Sequence, residues 1–418
     1  GLFGLIIISL WPDLLPTEIS NGIKSLPGFL INIVFAALFL GVTTPKFSSI
    51  AHLAMPQLCF GQILAWGQYV IGIGLTIVLL TPLFKVNPAF GNLLEIGFEG
   101  GHGTVGGMAG FFQSVNWSEG IALGMTVATI GMIIGVVGGM ILINWAVRRG
   151  YIINKTERDS NAADLKGIFL PDEQPEAGRQ TVASYSIDSL AWHVALVGIS
   201  IALGYAALLL LQHGVGALLT SPDAKRMIGS FPLFPLCMIG GLLLQKFMTM
   251  GKFAHLISHE QMQRLSGAAL DYLVLSALMT IQLKTVSANF WPLLILVGSG
   301  AAWNIFMVVA MGRKIFQEAW FERSIAEFGQ SCGVTATGLL LLRTVDPNNE
   351  TCAGEAFGYK QLFHEPIMGG GLWTATALAL IFSNGAGLVW LLSMVGLVLW
   401  LIIFWFYRRR QLREIKKY

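Results

Sequence analysis

Fourteen residues, Gly97 to Gly110, hold seven glycines together with Glu99, His102 and Thr104. So many glycines make a regular helix costly, and in hydrocarbon bare backbone is tolerated only against protein or a water-filled cavity. The tract is therefore predicted to line a cavity. Its centre, Gly101-His102-Gly103-Thr104, would offer backbone N–H groups and the positive end of a restarting helix, which suits a carboxylate. Close helix packing is the alternative use of the same glycines. No strand precedes the tract, so it is not a nucleotide-binding glycine loop. His102 has no second His or Cys at ligand spacing, which points away from a transition metal and toward a hydrogen bond within the loop or to a ligand.

A second tract, Gly329 to Gly338, has fewer glycines and more hydroxyls. Ser331, Cys332, Gly333, Thr335 and Thr337 are its candidate ligand-facing residues, although Ser and Thr hydroxyls equally satisfy carbonyls of their own helix. Asp271 lies several residues inside an apolar run, and an ionisable group at that depth is by default a functional hypothesis. Hard cations such as Na⁺ prefer oxygen ligands. Asp271, its neutral counterpart Asn32 and Glu99 are candidate sodium ligands; Asp271 could instead bond a neighbouring helix. Gln68 and Asn304 sit inside the helices that precede the two tracts. They offer either further oxygens to sodium or an interhelical hydrogen bond.

The elements that position these residues follow from composition. Of 418 residues 54% are apolar and 12% charged, with a mean hydropathy of +0.67; an ordinary soluble domain carries about twice that share of charge. The fold class is therefore an all-α polytopic membrane protein. The 49 glycines follow no three-residue period, which excludes collagen. Cys59, Cys237, Cys332 and Cys352 lack the spacing of a metal knuckle or a disulfide framework. Runs of about 20 apolar residues are expected to span at 26–44, 56–82, 118–147, 189–212, 230–251, 265–283, 290–311, 365–382 and 386–407. Residues 1–11 read as the remnant of a further helix, with the start of the natural protein expected to lie ahead of Gly1.

The glycine-bearing tracts, 88–112 and 317–343, are expected to enter the membrane and return. With the basic tail in the cytoplasm, that choice divides Lys and Arg 21 inside to 5 outside, whereas crossing tracts would give 12 to 14, which is no positive-inside bias. Six of the basic residues lie in the last eleven positions; they read as a cytoplasmic anchor, not a nucleic-acid patch. Two inverted five-helix repeats follow, each with a re-entrant Gly-rich hairpin: 1–147 (its first helix missing) and 189–382. They are joined by a cytoplasmic linker, 148–188, and followed by an extra helix and tail, 383–418. Leu26-x-Gly28-x-x-Ile31-Asn32 recurs as Leu265-x-Gly267-x-x-Leu270-Asp271 at matching places in the two repeats. The sequons at Asn116, Asn154 and Asn349 fall on different sides of this topology and read as coincidental.

Gly100-Gly101-His102-Gly103-Thr104, the Gln68-x-x-Ile71-Gly72-Ile73-Gly74 stretch and the Cys332-Gly333 centre resemble the bacterial glutamate:sodium symporter family over roughly Leu26 to Ser383. The resemblance implies two inverted halves of five helices and a homodimer in the bacterial inner membrane. It also implies Na⁺ entry coupled to glutamate uptake by a transport domain that moves past a scaffold, with Na⁺ as the coupling ion and no other cofactor. The chain departs from the pattern at Gln330-Ser331, where short members carry a Gly-His pair, and in the extra helix 386–407.

Two other readings stay open at this level: symport of a different carboxylate or amino acid, and a channel in which the tips form a filter. An intramembrane enzyme lacks any supporting motif. With the tips as the substrate site, His102→Ala should express normally and bind glutamate more weakly in an equilibrium assay with labelled substrate; unchanged affinity would make His102 a packing residue.

Overall fold

The computed structural model describes residues 16–42, 47–152, 178–215, 231–279, 283–346 and 350–415. The remnant 1–11, most of the linker, and the sequons Asn154 and Asn349 lie outside them. Among the described residues every regular element is helical. In chain order they are α1 (Thr17–Ala37), α2 (Phe47–Leu75, continued to Phe84), α3 (Leu93–Phe98), α4 (Gly101–Gly107), α5 (Ala109–Ser114) and α6 (Glu119–Ile133, continued to Arg149). After the linker come α7 (Ser189–Leu210), α8 (Phe234–Met250), α9 (His259–Met279), α10 (Leu283–Ala288) and α11 (Phe290–Phe306, continued to Ile315). The chain ends with α12 (Trp320–Val345), α13 (Ala353–His364), α14 (Leu372–Asn384) and α15 (Ala386–Ile415).

Six helical stretches among the described residues are long and apolar enough to cross a membrane: Ala51–Phe84, Glu119–Arg149, Ser189–Gly214, Phe290–Ile315, Trp320–Val345 and Ala386–Arg409. The fifth is not one straight rod. Gly333 (φ −149°, ψ 38°) and Val334 (φ 65°, ψ 173°) leave helical geometry, and the chain turns back so far that a Cβ on Gly329 would lie 2.7 Å from the Cα of Gly338. Nine residues of straight helix would put those positions roughly 13 Å apart. The first tract reverses as well. Leu93 and Val105 both reach Gly124 of α6, from either side of a turn at Gly100 and Gly101, the latter at φ +65°. Residues before it (Phe84 to Asn87) and after it (Trp117, Glu119) line one cleft, so the first hairpin starts and finishes at the same end of the molecule.

The basic residues mark the other end. Arg313 at the end of α11 lies 4.1 Å from the ring of Tyr151, just after Arg148 and Arg149 of α6. Tyr407 near the end of α15 donates to the carbonyl of His52 at the start of α2. The second hairpin begins at this basic end, where Trp320 packs on Tyr151.

One expected span is corrected. The apolar run 365–382 predicts one continuous span. Instead α13 packs against α2 and α12, the chain breaks over Glu365–Gly371, and α14 continues beyond the break, its Phe382 packing on Trp117. Pro366 and the three glycines Gly369 to Gly371 stop the helix, with φ +64° and +106° at Gly369 and Gly370. Low hydropathy over 346–364 disguised α13 because its polar side chains are buried among protein, not exposed.

Three packing regions emerge among the described residues. The largest joins buried apolar residues of α2, the hairpins, α6, α11 and α13–α15 with Ile31 and Phe35 of α1, Phe234 and Met238 of α8 and Leu273 of α9. Ala36, Leu40, Leu196, Val197, Cys237 and Met262 form a smaller one between α1, α7, α8 and α9, and Phe60, Leu64, Met307, Phe316 and Phe404 a third where α2 meets the ends of α11 and α15. Backbones approach closely wherever small residues face one another: a Cβ on Gly91 would sit 2.0 Å from the carbonyl oxygen of Gly72, and one on Gly240 would sit 2.2 Å from that of Ser200. Such contact replaces the hydrophobic drive that lipid cannot supply. Gly91→Ala should therefore lower stability by about 1–3 kcal/mol through overpacking, read by thermal unfolding in detergent. Gly110→Ala, with open space around it, should leave the unfolding midpoint in place.

Candidate functional site

The tips of the two hairpins touch. A Cβ on Gly101 would lie 2.5 Å from Cγ1 of Val334, so only glycine allows this approach, and its positive φ suits glycine as well. Across the junction the Ser331 hydroxyl donates to Oε1 of Glu99 at 2.7 Å, and Nε2 of His364 lies 2.9 Å from Oε2. Glu99, Ser331 and His364 come from the first hairpin, the second hairpin and α13. All three are buried.

The break at Gly333 leaves carbonyls of the incoming arm without helical partners. The Ser331 carbonyl accepts from Nε2 of Gln68 at 2.6 Å and Nδ2 of Asn304 at 2.8 Å. The two amides also bond each other, Nε2 of Gln68 to Oδ1 of Asn304 at 3.2 Å, and Nδ2 of Asn304 lies 3.1 Å from the Cys332 sulfur. So α2 and α11, each the helix before a hairpin, hold the end of the second hairpin together. The interhelical hydrogen bond expected for this pair is present. Among the described residues, Oε1 of Gln68 is buried with no hydrogen-bond partner, and so is the Thr104 hydroxyl, which lies beside Gly100 and Gly370.

The other site residues read from sequence are distributed as follows. Thr335 donates to Oε1 of Glu365 at 2.6 Å, which joins the outgoing arm to the break after α13. Thr337 bonds the Gly333 carbonyl of its own turn. Nε2 of His102 lies 2.9 Å from the Thr129 hydroxyl of α6, so its partner is a side chain and not hairpin backbone. Gly103 faces Ile31 and Leu273. Asp271 is exposed on α9, two positions from the buried Leu273 that faces the hairpin, and so on the opposite side of that helix. Asn32 donates to the Gly28 carbonyl and meets the Cys237 sulfur. Neither Asp271 nor Asn32 is brought to the tips.

The sequence reading missed half of the cluster. Glu95, one turn before Glu99, accepts from Tyr69 (2.6 Å), Thr374 (2.9 Å) and the N–H of Gly369 (3.1 Å). It fixes the glycine turn that starts α14. Lys360 pairs with Glu327 at 2.9 Å and also donates to Gln330 at 2.9 Å. Glu327 accepts from Gln57, which in turn accepts from Arg323. Gln361 donates to Gln330 and Thr335, one on each arm of the second hairpin. Gly61 leaves the space that the Lys360–Glu327 pair fills. The spacing Lys360, Gln361, His364, Glu365 places four polar groups on one helix face, and Glu95 with Glu99 does the same; those repeats were the available signal.

The family profile of the sodium/glutamate symporters matches residues 1–317. The chain belongs to the sodium/glutamate symporter family. It is a multi-pass membrane transporter of a family that couples Na⁺ to transport, not an enzyme. Searches of curated proteins and of solved structures give no match. The matched region contains the whole first hairpin, together with Gln68 and Asn304, and ends where the second hairpin begins. In this symporter the second hairpin is tied to the matched part by the bonds described above.

Among the described residues six carboxyl side chains are buried, Glu95, Glu99, Glu322, Glu327, Asp346 and Glu365, against two basic ones, Arg323 and Lys360. Glu327 is balanced by Lys360. Breaking a buried pair by removing one partner costs about 3–5 kcal/mol, because the survivor is left charged and unpaired. Lys360→Met should therefore lower stability by about that amount, while Lys360→Met combined with Glu327→Leu should restore most of it. Thermal unfolding of the purified single and double variants reads the difference.

Proposed function

We propose that this symporter takes up glutamate together with Na⁺ by alternating access, with the substrate and ion held where the two hairpin tips meet. The observation that carries the reading is this convergence. Two Gly-rich breaks bring the Glu99 carboxylate, the Ser331 hydroxyl and the unpartnered Oε1 of Gln68 into one buried cluster. A buried carboxylate needs a counter-charge, and hard oxygen donors suit Na⁺. Glu99 and Gln68 are thus the sodium side of the site, with Asn304 positioning Gln68. The substrate side is the glycine tip Gly101 to Gly103 with Thr104, facing Ser331, Cys332 and Gly333. Its backbone N–H groups suit a carboxylate, and the Thr335–Glu365 pair offers oxygens to an ammonium.

In this reading both hairpins are re-entrant, the halves are inverted repeats, and the basic end, with the linker and the C-terminus, is cytoplasmic. The strong excess of cations at that end supports the orientation. The helices that hold the polar cluster would move as one body past α1, α7, α8 and α9, which share a small core of their own and would be the scaffold of a homodimer.

Reconstituted into liposomes, the protein should accumulate labelled glutamate only under an inward Na⁺ gradient; indifference to that gradient would sink the coupling, and uptake of a different acid in preference would reassign the substrate. Glu99→Gln should raise the Na⁺ concentration for half-maximal uptake by about tenfold or more, as expected for loss of one charge-assisted contact. An unchanged Na⁺ dependence in that variant would move the ion elsewhere.

A further inference from the structure

A second cation-lined feature lies outside the transport site. At the basic end a cleft of about 290 Å³ opens between the last turns of α11 and α15, lined by Arg313, Lys314, Phe316, Phe404 and Arg408 among others. It is separated from Asn304 by nine residues of helix, or roughly 13 Å. No carboxylate lines it. Among the described residues the lysine–carboxylate pair formed is Lys360–Glu327, and none of the three cations of the cleft is paired with a carboxylate there. Arg313 is held in place by aromatic faces instead, 4.1 Å from the ring centre of Tyr151 and 5.1 Å from that of Trp320. That arrangement orients the guanidinium while leaving its N–H donors available.

The cleft sits where a membrane surface would be. Both flanking helices are long and apolar enough to span, and both end here. Below the cations their outer faces are apolar and exposed: Phe306 and Val309 on α11, Ile402, Trp405 and Phe406 on α15. Trp400, Trp405 and Tyr407 are followed at once by Arg408, Arg409 and Arg410, the order of an aromatic belt and then a charged interface. A phosphate group seated on the three cations would place acyl chains along those exposed faces. Basic pockets between membrane helices on the cytoplasmic side are suited to anionic lipid head groups.

We propose that this cleft binds the phosphate head group of an anionic phospholipid, with Arg313, Lys314 and Arg408 as its ligands. The test uses the full chain, delipidated in neutral detergent, with thermal unfolding followed on titration of phosphatidylglycerol or phosphatidylcholine. Phosphatidylglycerol should raise the midpoint, since a ligand stabilises the state it binds, and phosphatidylcholine should not. Replacing Arg313, Lys314 and Arg408 together by Gln should weaken the apparent affinity for phosphatidylglycerol about 10- to 100-fold, at the strength expected for three surface cations. Arg148→Gln with Arg149→Gln, on the same end of the protein, should leave that affinity in place. Equal responses from the triple variant and the wild type would overturn the site. The same shift produced by inorganic phosphate alone would make the cleft a free-anion site and overturn the lipid assignment. Should the triple variant fail to fold, Arg408→Gln alone carries the comparison, with a fall of about fivefold expected and no change counting against the proposal.

Discussion

Broken backbone at membrane depth must find its hydrogen bonds inside the protein, and the rest of this structure is arranged around that requirement. Three segments break: the first hairpin at Gly100–Gly101, the second at Gly333–Val334, and the chain between α13 and α14 at Glu365–Gly371. Each break is satisfied by another. Glu95 holds the glycine turn before α14, Gln68 and Asn304 take up the Ser331 carbonyl, and Glu99 bonds both Ser331 and His364. The substrate and ion site proposed here is the place where this mutual satisfaction is incomplete, with Gln68 Oε1 and the Thr104 hydroxyl left over.

Charge is distributed in two different ways around those breaks. Arg323, Gln57, Glu327, Lys360, Gln330 and Gln361 form a closed chain of donors and acceptors that fastens the second hairpin to α2 and α13. Glu95, Glu99 and Glu365 lie closer to the tips and accept from neutral groups and His364 instead. The first set is framework, with one carboxylate, Glu327, among the two cations Arg323 and Lys360. Among the described residues the second has no lysine or arginine bonded to it, and the proposed ion site lies there, because an uncompensated carboxylate in a low-dielectric interior is expensive.

Val334 shows what the tip contact demands. A β-branched residue at φ 65°, ψ 173° is in a region otherwise used by glycine, which costs about 1–3 kcal/mol. Its Cγ1 fills the space over Gly101. The first tip thus supplies the glycine and the second the side chain, so the two hairpins, although they match in kind, are not interchangeable. That asymmetry accounts for the difference in composition between the tracts.

Much of this was legible in the sequence alone. Low charge and long apolar runs determined a polytopic helical protein, because only helices and closed barrels satisfy their backbone in lipid. Crowded glycine located the first break at Gly100–Gly101, because so many glycines make a regular helix costly. Gln68 and Asn304 were each legible as interhelical hydrogen-bonding residues, but that they bond one another is seen only in the structure. What the sequence could not decide was which polar residues converge. Asp271 looked buried by its place in an apolar run, yet helix rotation puts it outside; Lys360 looked like a surface cation, yet Glu327 and the space over Gly61 bury it. Glu95 and His364 gain their roles from neighbours more than two hundred positions away, and Glu365 from Thr335 across the hairpin. Burial and partnership are properties of packed elements, and only the tertiary structure brings those elements together.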